Sequence, residues 1–130
     1  MPAYTDLGLL VLRLYAGGTM LLAHGWGKLT NFSEYAGGFP DPFGVGSSAS
    51  LGLAVFAEVA CAAAIAVGAF TRWAAVPLVV TMVVAGFVIH GDDPWSKKEL
   101  AFTYLAMYVA VLLLGPGRHS VDARLRGARV

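Results

Sequence analysis

The chain has 130 residues, of which 58% are hydrophobic and only 13% are charged, and its formal net charge is +1. This composition is too apolar for an ordinary soluble domain, and a charge this small, with no basic face, argues against a nucleic-acid partner. Cys61 is the single cysteine, which excludes an internal disulfide and a CxxC redox pair. We therefore expect a single membrane domain over residues 1–130.

Four apolar segments predict four membrane-spanning helices, since each approaches the roughly 20 residues that a hydrocarbon core requires. They cover about residues 5–30, 49–70, 72–90 and 97–114. The first lacks the basic start of a signal peptide and contains Arg13, so we interpret it as a retained helix. A stretch rich in Gly, Pro and Ser follows it and predicts a loop, or a short interfacial helix.

The connections between the segments determine the fold class. Thr71 and Arg72 are a tight turn, which makes the second and third helices an antiparallel hairpin. Gly115 and Pro116 end the fourth helix, because Gly accepts the left-handed C-terminal conformation and Pro cannot extend the hydrogen-bond ladder. The prediction is an all-α, antiparallel, integral membrane four-helix bundle with residues 115–130 as a tail.

The basic residues indicate the orientation of this predicted bundle. Four crossings put both termini on one side, and arginines collect there: Arg72, Arg118, Arg124, Arg126 and Arg129. The opposite side holds three lysines: Lys28, Lys97 and Lys98. Because positive residues favour the cytoplasmic side, we expect a multi-pass protein of the cell inner (plasma) membrane with both termini cytoplasmic.

Two charged residues fall inside the predicted spans, Arg13 in the first and Glu58 in the second. Counting about 1.5 Å per residue from each boundary puts them at similar depths. A lone charge near the bilayer centre is unfavourable by roughly 3 kcal/mol, so the sequence predicts a structural ion pair between them.

Four further ionisable residues meet at the opposite boundary: His24 and Lys28 end the first helix, His90 ends the third and Glu99 begins the fourth. Because these ends lie on one face, we expect the four side chains to line one pocket. Aromatic residues of the first loop would cover it: Phe32, Tyr35, Phe39 and Phe43. Alternatively, those aromatics form an interfacial belt with Trp26 and Trp95.

Three chemistries fit this cluster. His, Lys and Glu side chains provide hydrogen-bond donors and a protonatable neighbour for a quinone headgroup. His24 and His90, on separate helices, fit the axial positions of a haem iron. With Glu99 they also form a two-histidine, one-carboxylate set of metal ligands.

Several motifs together resemble the DoxX family. They are HGxxK at His24–Lys28, Glu58 followed by small and apolar residues to Gly68, the turn at Thr71 and Arg72, His90, the KKEL start of the fourth helix, and GPGRxSxD at Gly115–Asp122. The family is similar to the DoxD-type membrane subunit of thiosulfate:quinone oxidoreductase. The resemblance implies a four-helix inner-membrane protein linked to quinone-dependent redox processes, and members resemble partners of membrane oxidoreductase complexes.

The resemblance favours quinone among the three chemistries, since it brings no haem site with it, and we expect neither haem nor metal. The predicted function is a quinone-interacting subunit or partner of a membrane oxidoreductase complex, with His24, Lys28, His90 and Glu99 holding the headgroup. The alternative is a non-catalytic scaffold or assembly factor whose polar residues only fix helix register. Whether the protein is itself an enzyme, and whether it forms a homo-oligomer, stay open.

Overall fold

A computed structural model describes residues 3–129, with side chains up to residue 125. Over this range the chain is helical and contains no strand, which confirms the expected all-α class. The helices are α1 (Ala3–Thr30), α2 (Phe32–Ala36), α3 (Ser47–Val67), α4 (Thr71–Ile89), α5 (Trp95–Leu114) and α6 (Val121–Arg129). The ends of the four long helices differ from the sequence-based boundaries by at most three residues, and α2 is a short helix in the first loop.

Three helices of the described range, α1, α3 and α4, are long and apolar enough to cross a membrane. The fourth long helix, α5, has 20 residues, but its first turns hold Lys97, Lys98 and Glu99. Any stretch of α5 close to a membrane span in length therefore includes three charges. From Leu100 to Leu114 it carries no charged residue.

The backbones of α1 and α3 approach each other closely at two glycines. A Cβ atom on Gly17 would lie closer than 3.0 Å to the backbone of Ala62 and Ala66, and one on Gly25 would lie that close to the backbone of Glu58. Glycine is required at both positions because a larger residue would force the helices apart. These contacts set the register between two antiparallel helices.

In this register the start of α1 extends beyond the end of α3. Gly17 lies beside Ala62 and Ala66, and Arg13 beside Gly68, which follows the last residue of α3. The first ten residues of α1 therefore extend about 15 Å past the end of α3. We call this the terminal end of the molecule, and the end that holds residues 31–46 and 90–94 the loop end.

Small and aliphatic side chains fill the space between the four long helices. Ala16, Ala62, Ile65, Ala75, Leu78 and Val111 are fully buried. Tyr108 is also fully buried, and its hydroxyl donates to the carbonyl oxygen of Ala16 at 2.9 Å. This hydrogen bond satisfies the only polar atom of the Tyr108 side chain and joins α5 to α1.

Polar contacts join the tail to the terminal end of the helices. Arg13 is completely buried and its Nη2 donates to the carbonyl oxygen of His119. The Asp122 carboxylate accepts hydrogen bonds from the backbone N–H groups of Phe70 and Thr71, at 2.7 and 2.9 Å. Asp122 thus satisfies the exposed donors at the start of α4, the role that an N-cap residue normally performs within its own helix. Phe70 has a left-handed backbone, with φ of 49°.

The close approach at Gly17 and Gly25 yields a prediction with matched controls. Gly17→Ala and Gly25→Ala place a methyl group against the α3 backbone, so each should destabilise the fold by about 1–3 kcal/mol. Gly18→Ala and Gly27→Ala should not, because nothing lies within 4 Å of the added atom. Thermal denaturation in detergent checks this, and equal melting temperatures for Gly17→Ala and Gly18→Ala would contradict it.

Candidate functional site

A pocket of about 430 Å3 lies between the long helices and extends towards the loop end. Its walls are apolar over most of their area and include Met20, Leu53, Ala54, Val80, Val84, Ala85, Ile89, Leu100 and Ala101. Its polar lining comes from every long helix: His24, Lys28, Ser50, Glu58, Thr81, His90, Lys97 and Tyr104. A volume of this size matches sites for small organic ligands, which are apolar with a few polar groups.

An ion pair between Lys28 and Glu58 is the strongest polar feature of the pocket. Lys28 Nζ lies 2.7 Å from Glu58 Oε1 and 2.9 Å from Oε2. The Glu58 side chain is only 4% exposed, whereas that of Lys28 is 24% exposed. An ammonium has three donors, so Lys28 keeps one donor beyond those that the carboxylate accepts.

His24 lies one helical turn before Lys28 and lines the same pocket. Its ring meets the Tyr104 ring edge-on, with 5.5 Å between centroids and an interplanar angle of 89°. Tyr104 in turn stacks on Tyr108, at 5.9 Å. The aromatic contact fixes the orientation of the imidazole, and the charges of Lys28 and Glu58 are within electrostatic reach of it.

The pocket reaches the surface near His90. The His90 Nδ1 atom lies 2.7 Å from Asp93 Oδ2, and the two side chains are 40% and 38% exposed. Lys97, also exposed, lines the pocket on the neighbouring helix. His90 is therefore at the mouth of the pocket, whereas Glu58 is at its buried end.

The loop between α2 and α3 covers part of the pocket. Phe39 and Phe43 line it, as do Pro40 and Pro42, and Lys28 Nζ lies 5.9 Å from the centre of the Phe39 ring. The Asp41 carboxylate holds this loop against the start of α3 by accepting hydrogen bonds from Val45 N, Gly46 N and Ser50 Oγ at 3.0, 2.8 and 2.9 Å.

The structure brings together three of the four residues expected in this site. His24, Lys28 and His90 line the pocket, but Glu99 does not: it is exposed and lies on the first turns of α5, away from the lining. Of the four expected cover residues, only Phe39 and Phe43 line the pocket, and Phe32 and Tyr35 do not. Trp26 and Trp95 are more than half exposed.

The predicted ion pair between Arg13 and Glu58 is wrong. Glu58 binds Lys28, and Arg13 binds the carbonyl oxygen of His119 at the terminal end. The depth estimate assumes that the start of α1 and the end of α3 lie at the same boundary, but α1 extends about 15 Å past the end of α3. Arg13 therefore lies beside Gly68, about 15 Å along the axis from Glu58.

The carboxylate of the site thus comes from the middle of α3 rather than from the start of α5. Among the described residues, no group of three or more His, Cys, Asp and Glu side chains is placed to hold a metal ion. The set of His24, His90 and Glu99 is accordingly not assembled, since Glu99 lies outside the pocket.

Tyr104 and Lys97 are two polar lining residues on α5 that sequence reasoning did not assign to the site. Tyr104 is buried, at 3% exposed, and lies on the same face of α5 as Leu100, Ala101 and Lys97. The spacing of residues 97, 100, 101 and 104 is that of a single helix face, so a helical projection of the fourth segment contains the signal.

Three π-helical turns occur around the pocket: Leu21–Gly25 in α1, Phe56–Cys61 in α3 and Val84–Ile89 in α4. His24 and Glu58 lie within two of them, and Val84, Ala85 and Ile89 belong to the third. Such turns are rare and occur often at functional sites, because the inserted residue redirects side chains. Their coincidence marks this region as the candidate site.

A gap between α3 and α4 connects the pocket to the side of the molecule. Close packing between these helices involves α3 from Phe56 onwards, and the earlier part of α3 packs instead against α2 and the end of α1. Leu53 on α3 and Val80 on α4 line the pocket and are 64% and 55% exposed. The apolar walls therefore continue from the pocket onto the outer surface of the helices.

Comparison with known proteins identifies the family. The DoxX family model matches residues 8–91, which include His24, Lys28, Glu58 and His90. The chain belongs to the DoxX family. It is 32% identical to the Uncharacterized membrane protein Rv3486 of Mycobacterium tuberculosis (strain ATCC 25618 / H37Rv), over 67% of this chain and 68% of that protein. No solved structure matches the chain significantly. Family and apolar helices together make this DoxX protein a membrane protein.

The Lys28–Glu58 pair predicts a large effect of single substitutions. Lys28→Met should destabilise this DoxX protein by about 3–5 kcal/mol, because the buried Glu58 carboxylate loses its counter-charge. Lys28→Met combined with Glu58→Met should be much less harmful than the sum of the two single substitutions. Glu99→Gln, which removes an exposed carboxylate outside the pocket, is the matched control. Thermal denaturation of the wild type, the two single variants and the double variant provides the double-mutant cycle, and additive effects would contradict the pairing.

The cover of the pocket should depend on pH through Asp41. Hydrogen bonds from Gly46 N–H and then Ser50 lower the pKa of this carboxyl from its ordinary value. The hydrogen bonds of Asp41 therefore stabilise the loop fully at pH values above the ordinary pKa of about 3.9. This stabilisation is lost as the pH falls through the lower pKa that Asp41 has in the folded protein. Exchange of the Val45 and Gly46 amides, corrected for intrinsic rates, should accelerate over that window in the wild type. In Asp41→Ala it should be fast throughout; slow exchange in that variant would contradict the role of Asp41.

Proposed function

We propose that the protein is an integral membrane four-helix bundle whose pocket binds the headgroup of a membrane-soluble quinone. In this proposal it acts as a subunit or partner of an oxidoreductase complex in the cell inner membrane. The spans are α1, α3, α4 and α5, and the arginines at the terminal end favour a cytoplasmic location for both termini. The packing of α5 against α4 and α1 supports its inclusion as a span.

One observation carries the proposal: a lysine, a carboxylate and a histidine line one apolar pocket between helices that are long and apolar enough to cross a membrane. Intramembrane ionisable groups are unfavourable and normally serve a site. A quinone ring is apolar, with carbonyl oxygens at its edges that require hydrogen-bond donors. Lys28 has an uncommitted donor, and the His24 imidazole can donate or accept a proton.

The gap between α3 and α4 supports a ligand that arrives from the bilayer. A membrane quinone carries a long apolar tail, which must remain in lipid while the headgroup is bound. Leu53 and Val80, which flank the gap, offer an exposed apolar surface for the first part of that tail. A water-soluble ligand would have no use for this surface.

A scaffold without a ligand is the second candidate, and the Lys28–Glu58 pair favours it. This pair already satisfies both charges by joining α1 to α3, so fixing the helices in register would suffice to explain it. In that case His24 and Tyr104 would be a packed aromatic pair and nothing more.

Organic extraction of the purified protein separates the two candidates. Mass spectrometry of the extract should detect quinone in about stoichiometric amounts for the wild type, and His24→Ala should lose most of it while still unfolding in a cooperative transition. His119→Ala removes an exposed histidine at the other end of the molecule and should retain the quinone. If the wild-type protein contains no quinone and also fails to bind an added short-chain quinone, the scaffold is the remaining candidate. A Soret band lost in both His24→Ala and His90→Ala would assign the pocket to haem instead.

A further inference from the structure

A second concave site lies at the terminal end, remote from the quinone pocket. This groove, of about 380 Å3, is formed where the end of α3 meets the start of α6. Its lining is Val67, Arg118, His119, Ser120, Val121 and Arg124. Two arginines and a histidine thus face one small depression that has no part in the function proposed for the pocket.

The charges around the groove are predominantly positive. Among the side chains that the structure describes, the terminal end holds four arginines and two aspartates: Arg13, Arg72, Arg118, Arg124, Asp6 and Asp122. Arg118 is 74% exposed and forms a long ion pair with Asp6, whose Oδ2 lies 3.9 Å from the guanidinium Nε, too far for a hydrogen bond. The guanidinium is therefore available to an additional anion.

A buried charge lies behind the same segment. Arg13 donates to the carbonyl oxygen of His119, whose residue lines the groove. Arg13 Nε and Nη1 have no hydrogen-bond partner among the described residues, and the Arg13 side chain has no exposed surface. Arg13 is within electrostatic reach of the Asp122 carboxylate, and its charge adds to that of the exposed arginines at the groove.

The position of the groove determines what kind of anion it meets. Val67 is the last residue of α3, one of the candidate spans, so the groove lies where a span leaves the hydrocarbon. Val67 and Val121 line the groove and expose apolar surface beside the arginines. Lipid phosphates lie at this level, with acyl chains immediately below them, and basic pockets there favour anionic lipids.

We infer that this groove binds the phosphate of an anionic phospholipid, with Arg118 and Arg124 donating to its oxygens and Val67 and Val121 in contact with the apolar part of the lipid. Guanidinium and phosphate form bidentate, charge-assisted hydrogen bonds, which makes arginine more effective here than lysine. The lipid would connect the tail to the membrane surface and to the end of α3.

Native mass spectrometry of the full chain in detergent tests this inference, with phosphatidylglycerol and phosphatidylcholine of identical acyl chains as probes. Phosphatidylglycerol should bind with higher affinity, and Arg118→Gln and Arg124→Gln should each weaken it by roughly tenfold. Arg118→Lys should weaken it less. Lys98→Gln, which removes a charge at the loop end, should leave the affinity unchanged.

The inference is overturned if both lipids bind equally, or if Arg118→Gln binds phosphatidylglycerol as the wild type does. Displacement of the lipid by millimolar inorganic phosphate would also overturn it, by assigning the groove to a soluble anion. Melting temperatures identify any variant that fails to fold. If Arg118→Gln fails to fold, Arg118→Lys alone tests the role of Arg118, because it keeps the charge and alters only the geometry. Quinone content, set by the opposite end of the molecule, should not change in any of these variants.

Discussion

The close contact between α1 and α3 is the constraint on which the rest of the structure depends. Gly17 and Gly25 allow the two backbones to approach, and this fixes how far one helix is displaced along the other. Lys28 consequently reaches Glu58 in the middle of α3, and Arg13 reaches the tail beyond the end of α3. A different register would leave both buried charges without their partners, so packing of small residues and placement of charge reinforce each other.

The sequence predicts the helices well because apolar segments of membrane length have few alternatives. The sequence also predicts that His24, Lys28 and His90 lie at the loop end, since antiparallel connections force those helix ends together. The register between helices is harder to predict, because it depends on backbone contacts at specific small residues. The sequence has many glycines, and the pattern does not show which of them make these contacts. Counting depth from assumed boundaries therefore gave Arg13 the wrong partner, and the carboxylate of the site was assigned to Glu99 instead of Glu58.

The contacts of the tail could not be predicted from the sequence either. The GPGRxSxD motif indicated a helix end and a family, but not that Asp122 caps the start of α4 or that the carbonyl oxygen of His119 receives Arg13. These are contacts between residues far apart in the chain, which no local pattern specifies. They explain why polar residues recur in an otherwise apolar protein: at the terminal end they close the bundle, and near the loop end they line a cavity.

The π-helical turn at Leu21–Gly25 has a consequence for how this sequence tolerates length changes. A π-helical turn accommodates one residue more than an α-helical turn, so the residues on either side keep the orientation of a regular α-helix that is one residue shorter. Deletion of one residue within Leu21–Gly25 is therefore absorbed by conversion to an α-helical turn, with Lys28 still facing Glu58, whereas a deletion in the regular helix rotates everything beyond it by about 100°. The register of α1 is thus less sensitive to residue number in this segment than in the regular helix before it, whereas His24 and Gly25 are constrained by the contacts that they make.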